Sequence, residues 1–323
     1  MNIYPPLRKK KDFIFFLPRL IFHPIREHIA YVKTCKLLAR IKPDIIHTNV
    51  GPIHFGAKVA KKYDIPHIWH LREYQTKDFR MQPFPSFPSF PSFIKKLNSY
   101  GNHKVAITQE IASYFHTNSD TRVIFDGVVS KNQKIPEINL NTDNYFLFVG
   151  RLEAAKGWQD ALNAFIEIAD AFPLSKMVFA GSYRKDEIES VKRNVIPKNL
   201  LNRIEFLGFR DDRFNLMQNA SAIIVPSISE GFGFITAEAM YNGCLDIGRN
   251  TSGTKEQFDN GLNFFGKEIG FRFNNQEELT EKMRSVMSAP KKEFIEMLEN
   301  AQSIVLKLYS SEQCAENVYQ YYI

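Results

Sequence analysis

Cysteine is scarce in this 323-residue sequence: Cys35, Cys244 and Cys314 are odd in number and far apart. That spacing excludes a disulfide framework and points to a reducing, cytoplasmic setting. Cys-x-x-Cys, His-x-x-x-His and Asp-x-Asp are all missing, so no metal site is expected. No apolar run approaches the ~18 residues that a membrane span needs. The G-x-x-x-x-G-K-[ST] spacing of a P-loop is lacking too. So are a basic-aromatic RNP-like motif and a helix-turn-helix pattern, and nucleic acid is therefore not the expected partner. Histidine stops altogether after His116.

The charge that is present is unevenly placed. Residues 1–140 carry 22 Lys+Arg against 10 Asp+Glu, whereas the remainder carries 20 against 25. Two domains with different partners are expected, and the basic one suits a phosphorylated substrate or an anionic lipid surface. Short apolar stretches recur along the chain: DIIHTN (44–49), PHIWHLR (66–72), HKVAIT (103–108) and RVIFDG (122–127) come first. YFLFVG (145–150), KMVFAG (176–181), NRIEFLG (202–208), ASAIIVPS (220–227) and CLDIG (244–248) follow. Helical runs such as WQDALNAFIEIADAF (158–172) and NLMQNA (215–220) lie between them. Unalternating apolar strands separated by helices predict parallel sheets covered on both faces. The fold class is α/β, with two doubly wound, Rossmann-like domains. The Asn-rich stretch 128–144 reads as the linker, which gives an N-terminal domain over 1–140, a second domain over 141–303 and a C-terminal helix over 304–323.

In such folds ligands bind at the carboxyl ends of the strands. After YFLFV comes GRLEAAKGW, where Gly150 permits a tight exit and Arg151 and Lys156 stand where a helix begins. Two cations beside a helix start suit phosphate. After ASAIIVPS comes SEGFGFITAEAM. Gly231 and Gly233 let backbone approach a ligand closely, and the helix-start amides turn toward it. Glu230 and Glu238 are carboxylates about two turns apart, roughly 12 Å along a helix axis, and carboxylates accept hydrogen bonds from vicinal hydroxyls. The alternative is that Glu230 is a cap and Glu238 a solvated helix residue. The spacing fits a ligand with a sugar, a diphosphate and a ribose in line.

GRLEAAKG, AGS, IEFLGF and VPSISEGFGFITAEAMYNGC, in that order, resemble the donor domain of GT-B glycosyltransferases, in particular the retaining family 4. The resemblance covers nearly all of residues 144–323. It implies a glycosyltransferase that uses a nucleotide-diphosphate sugar as co-substrate and no other cofactor. By that resemblance Glu230 binds the sugar hydroxyls and Glu238 the ribose. Arg151, Lys156 and the amides near Phe232, Phe234 and Ile235 hold the diphosphate, with Gly150, Gly181, Gly231 and Gly233 making room for it. It further implies that His70, at the end of HIWH, is the functional histidine of the first domain, facing the donor. His47 is a weaker acceptor-side candidate, and Arg72 and Glu73 either contact the acceptor or pair with each other. A helix closing the chain is expected to pack back toward the first domain.

Two further stretches are unusual. FPSFPSFPSF (84–93) is either an expanded loop or an apolar finger in polyproline II conformation. LRKKKDFIFFLPRLIF (7–22) sets cations beside an apolar run that Pro18 is expected to interrupt. Together they suggest a peripheral place at an anionic, inner membrane face and a lipid-linked or saccharide acceptor. The sequence departs from the family in three places. Nothing before DIIHTN resembles the usual opening strand and glycine-rich loop, so the first sheet is either short or completed by a partner chain. Asp126 stands where asparagine is common, and Leu245-Asp246 where Pro-Val is usual. The reading from another class is a non-catalytic, glycosyltransferase-like subunit that binds a partner enzyme.

Overall fold

The computed structural model describes residues 2–4, 10–50, 55–74, 82–84, 94–95, 97–99, 103–117 and 121–323, without the side chains of 2–4, 10–21, 23–24 and 82–84. Residues 7–9 and 85–93, with most of the Phe-Pro-Ser repeat, lie outside the described residues. The chain divides into a first unit, 1–124 with Tyr322, and a second, 125–321 with Ile323.

The first unit runs β1 (Asn2–Tyr4), α1 (Lys10–Ile41), β2 (Ile46–Thr48), α2 (Phe55–Tyr63), β3 (His67–Leu71), β4 (Gln82–Phe84), β5 (His103–Ala106), α3 (Gln109–Tyr114) and β6 (Thr121–Val123). Its sheet has the order β2-β3-β5-β6, parallel throughout, while β1 and β4 form a separate antiparallel pair. Every residue of β3 is buried, as expected for a strand covered on both faces. The helix α1 continues through Pro18 and Pro24. A proline removes one backbone donor, and a 32-residue helix keeps enough of its ladder on either side to persist. Among the described residues no helix is long and apolar enough to cross a membrane.

The second unit runs β7 (Tyr145–Val149), α4 (Trp158–Ile168), β8 (Lys176–Ala180), α5 (Lys185–Asn194), β9 (Ile204–Gly208), α6 (Arg213–Asn219), β10 (Ala222–Val225) and α7 (Phe234–Tyr241). It continues with β11 (Asp246–Arg249), α8 (Ser252–Phe265), β12 (Phe271–Phe273), α9 (Gln276–Ser288), α10 (Ile295–Leu308) and α11 (Ser311–Tyr322). The six strands are parallel, in the order β12-β11-β10-β7-β8-β9. Successive strands run outward from β7 in one direction and then, from β10, in the other. The switch point therefore lies between β7 and β10, and the crevice outside their carboxyl ends is where a doubly wound sheet takes its ligand.

Both faces of this sheet are packed. Phe146, Phe179, Ile224 and Ile247 join Trp158 and Phe165 of α4 on one side. Leu147, Val178 and Ile223 meet Met217 and Ala239 on the other. In α4 the buried positions Trp158, Ala161, Leu162, Phe165 and Ile168 follow the i, i+3, i+4, i+7 spacing of one helix face.

The partition falls between Ile124 and Phe125 rather than at the expected 140/141 boundary. The stretch taken for a linker is stitched to the second unit. Val128 N donates to Tyr309 O at 2.8 Å and Ser311 N to Val129 O at 2.8 Å. Gln302 Nε2 reaches Pro136 O at 2.9 Å. A stretch rich in Asn and Pro looks like a free connection in sequence, because its partners lie far along the chain, as Gln302 does from Pro136.

Candidate functional site

Several residues singled out in the sequence meet at the switch point. The chain leaves β7 through Gly150 at φ +148° and makes a short helical turn over Ala154–Lys156. It enters α4 through Gly157 in a left-handed conformation, φ +67°. A Cβ on Gly157 would lie 2.2 Å from Pro226 O, so only glycine lets this loop close on the end of β10. Ile228 N then donates to Ala155 O at 3.1 Å. The two loops are thus tied together, and that contact sets Lys156 beside Glu230: Lys156 Nζ lies 2.6 Å from Glu230 Oε1. Ser227 Oγ donates to the same oxygen at 2.8 Å. Glu230 is half-buried, and its Oε2 carries neither of these bonds.

The glycine turn after Glu230 is fastened from the next helix. Gly253 N donates to Glu230 O at 2.9 Å. Gln257 Nε2 donates to Phe232 O at 2.7 Å and to Gly233 O at 3.1 Å. A Cβ on Gly253 would lie 2.2 Å from Phe232 O, which leaves no room for a side chain. Gly233 caps α7 at φ +90°, and the first-turn amides at Phe234 and Ile235 stand at a helix N-terminus, where partial positive charge collects. The Phe232 ring is buried and packs edge-on against Tyr309 at 5.3 Å, so its side chain is committed to the core. Gly231 is buried in the same turn.

Glu238 is neither a solvated helix residue nor a lone carboxylate. Arg213 of α6 grips it in bidentate fashion, Nε to Oε2 and Nη2 to Oε1, each at 2.9 Å. The guanidinium also lies 4.4 Å from the Phe214 ring centroid. Two parallel bonds fix the carboxylate plane and leave lone pairs for hydroxyl donors. Arg213 was missed in the sequence, as were Ser227, Gly253 and Gln257. Arg213 sits in RDDRF, a run that reads as a polar loop, and its partner is 25 residues away.

Arg151 is exposed and paired with Glu153 at 3.1 Å, and it does not touch Glu230 or Glu238 among the bonds seen. Gly181, expected to face a ligand, has a structural reason to be glycine. A Cβ there would lie 1.8 Å from Gly150 O, where the exits of β7 and β8 cross. Gly181→Ala is expected to destabilise the protein by about 3 kcal/mol or more. Gly208→Ala, at φ +72° with open space around the new methyl, should cost only the left-handed strain of about 1–2 kcal/mol. Urea unfolding of the two variants measures the contrast.

In the first unit, His47 and His70 come together. Their rings stack at 5.4 Å, and His47 Nδ1 is hydrogen-bonded to the Tyr322 hydroxyl. His67 points to the other face of β3, where its Nε2 meets Thr48 Oγ1 at 2.8 Å. Burial, then Arg72 and His47, lowers the His70 pKa to about 3. Burial, aided by His47, lowers that of His67 to about 4. His47 is also lowered, by burial and Arg72. The rings are therefore neutral at physiological pH, and His70 Nε2 is buried without a hydrogen-bond partner among the described residues. Arg72 Nη1 reaches Asn49 Oδ1 at 3.4 Å, and Glu73 beside it is half-buried.

Residues 130–303, more than half of the chain, match the family described as Glycosyl transferases group 1. The chain belongs to this family. Among curated proteins it is similar to the uncharacterized glycosyltransferase MJ1178 of Methanocaldococcus jannaschii, 28% identical over 286 residues, with 86% of this chain and 75% of that protein covered. A second uncharacterized glycosyltransferase of the same organism, MJ1607, is 26% identical over 247 residues, with 69% of this chain and 62% of that protein covered. Among solved structures, Anabaena Alr3699/HepE in complex with UDP superposes with a TM-score of 0.70 at 20% identity, over 90% of this chain and 81% of that one. The same Anabaena protein has also been solved with UDP-glucose, and that structure matches with a TM-score of 0.67 at 20% identity over 90% of this chain and 82% of that one. The fold of the group 1 transferase described here is thus GT-B, with two parallel-sheet units.

Proposed function

We propose that this glycosyltransferase takes a nucleoside-diphosphate sugar at the switch point of its second unit and passes the sugar, with retention, to an acceptor hydroxyl. The observation that carries the reading is the Lys156–Glu230 pair in front of the α7 N-terminus. A cation and a carboxylate that neutralise each other at 2.6 Å suit a ligand that satisfies both separately, with phosphate on Lys156 and sugar hydroxyls on Glu230. Glu238, planar in the Arg213 clamp, then receives the ribose hydroxyls. The structure of Alr3699/HepE with UDP supports uridine as the first base to try.

In the step itself the acceptor oxygen bonds to the anomeric carbon from the face the nucleotide leaves. The bond from that carbon to the diphosphate oxygen breaks with its electron pair on the diphosphate, and the hydroxyl proton passes to a diphosphate oxygen. Negative charge grows on the leaving group, where Lys156, Arg151 and the α7 amides counter it without a metal ion. His70, neutral and with its Nε2 unbonded among the described residues, is assigned to the acceptor side, where it exchanges a hydrogen bond with a hydroxyl. His47, Arg72 and Glu73 belong to the same side. The acceptor is read as a saccharide or a lipid-linked saccharide of cell-surface polysaccharide assembly. Exposed Phe22, Ile25 and Ile29 on α1, beside Arg26 and Lys33, support a peripheral place on an anionic membrane.

Calorimetric titration with UDP, GDP and ADP, with EDTA present, tests the donor half of the reading. One nucleotide should bind clearly best, and Glu238→Ala should weaken it by about 1–3 kcal/mol, the loss of a charged hydrogen bond. Arg213→Met should weaken it less, because the carboxylate remains but is no longer oriented. Wild-type affinity in Glu238→Ala, with the fold intact by circular dichroism, would show that the ribose lies elsewhere.

A further inference from the structure

The opposite end of the same sheet holds a cavity of about 340 Å³ that the transfer reaction does not use. Asn141, Thr142 and Asn144 line it just ahead of β7, Ser221 just ahead of β10, and Leu245 just ahead of β11. These are the amino ends of the strands, whereas Lys156 and Glu230 lie past the carboxyl ends. Lys291, from the turn between α9 and α10, completes the polar part of the wall and is the only charged side chain in the lining. We infer that this cavity is a second ligand site, which takes a small organic anion with its charged group on Lys291.

The argument starts from the lysine. Lys291 is 8% exposed, and its Nζ is buried without a hydrogen-bond partner among the described residues. Lysines are seldom buried to this extent without a partner. An ammonium in that position forfeits its hydration and has nothing in exchange among the described residues. Burial accordingly lowers its pKa, and the only group pulling the other way is Cys244. Cys244 does not serve as a counter-ion, since its own burial pushes the thiol up to about 12. The missing partner is therefore an anion that the protein does not supply.

The rest of the wall defines that anion. Thr142 and Ser221 present hydroxyls that share only one long contact, 3.4 Å between their oxygens, and both can turn to donate to a headgroup. Leu245, Val286, Met287 and Phe294 give the remainder an apolar surface. The volume is at the lower end of small-molecule sites. One carboxylate or phosphate monoester on a short hydrocarbon tail fits this wall, and a multiply charged nucleotide does not. The site stands independently of the donor reading, for it shares no residue with it.

Three probes of similar length test it: pentanoate, butyl phosphate and neutral pentanol, each followed by saturation-transfer NMR and by thermal unfolding. Wild type should bind one or both anions and unfold at a higher temperature with them. Stronger binding of pentanoate would assign the site to carboxylates, and stronger binding of butyl phosphate to phosphate monoesters. Lys291→Met keeps the length and the packing, should unfold no earlier than wild type because a buried unpaired amine is gone, and should bind the anions at least about tenfold more weakly. Failure of both anions to bind wild type, equal binding to Lys291→Met, or pentanol binding as tightly as the anions would each overturn the proposal. The equal-binding case would place the anions at the phosphate cations of the other end.

Discussion

Glu230→Gln is expected to lower turnover about 10- to 100-fold while nucleoside-diphosphate affinity stays at the wild-type level or rises. The lost interaction is a charged hydrogen bond to the sugar, of about 1.5–3 kcal/mol, and each 1.4 kcal/mol is about tenfold in rate. The second half of the expectation comes from the pairing in the structure. Glu230 occupies Lys156 Nζ at 2.6 Å, and the neutral amide of glutamine competes less well for that cation. Lys156 then meets the diphosphate at smaller cost. The glutamine carbonyl still accepts from Ser227, so the turn keeps its shape. Steady-state rates with the preferred donor, alongside titration of the bare nucleotide, separate the two effects. A drop in nucleotide affinity as large as the drop in turnover would mean that Glu230 holds phosphate-side structure rather than sugar.

Asp246→Val should make the protein more stable. Asp246 begins β11 with both carboxyl oxygens buried and without partners among the described residues, and burial raises its pKa well above the ordinary carboxylate range. A buried polar group left unpaired costs about 1–3 kcal/mol, and valine replaces the carboxyl with two methyl groups. The gain should depend on pH. The folded state keeps a proton that the unfolded chain releases near pH 3.9, so the folded state binds more protons above that pH. Wild-type stability contributed by this group is fully present below the unfolded pKa and falls as pH rises through the raised folded value. The advantage of the valine variant should therefore widen on going from acid toward neutral pH, as measured by urea unfolding at several pH values. Equal pH dependence in the two proteins would mean that Asp246 is ionised and solvated or paired after all.

The nine strand stretches read from the sequence all contain strands in the structure, because buried parallel strands leave uninterrupted apolar runs. β12 escaped notice because Phe271–Phe273 is only three residues long and carries an arginine between its aromatics. Lys156 and Glu230, which meet in the structure, were marked out locally by the strand-end rule and the glycine turn. The side chains that hold such residues in place were not legible. Arg213 reaches Glu238, and Gln257 holds the glycine turn, across gaps of 24 to 25 residues that no short pattern spans. Gly181 carries a constraint that no local pattern shows: the space a Cβ would fill there is taken by the carbonyl of Gly150. The long α1 was obscured by Pro18 and Pro24, which mark a local weakness in a helix and not its end.

The fastening of residues 125–144 to the second unit bears on how such enzymes diversify. The bonds that shape the switch-point site, from Ser227 and Lys156 to Arg213, Gly253 and Gln257, join residues within 125–321. A lineage can therefore exchange, shorten or remodel its first 124 residues without breaking any of these bonds. On the reading proposed above, mutations that retune the acceptor would accumulate on one side of Ile124, and those that change the nucleotide on the other. Grafting the second unit onto the first unit of a relative becomes a rational way to recombine the two specificities, with the junction placed at residue 125 and not in the Asn-rich stretch that looks like a hinge.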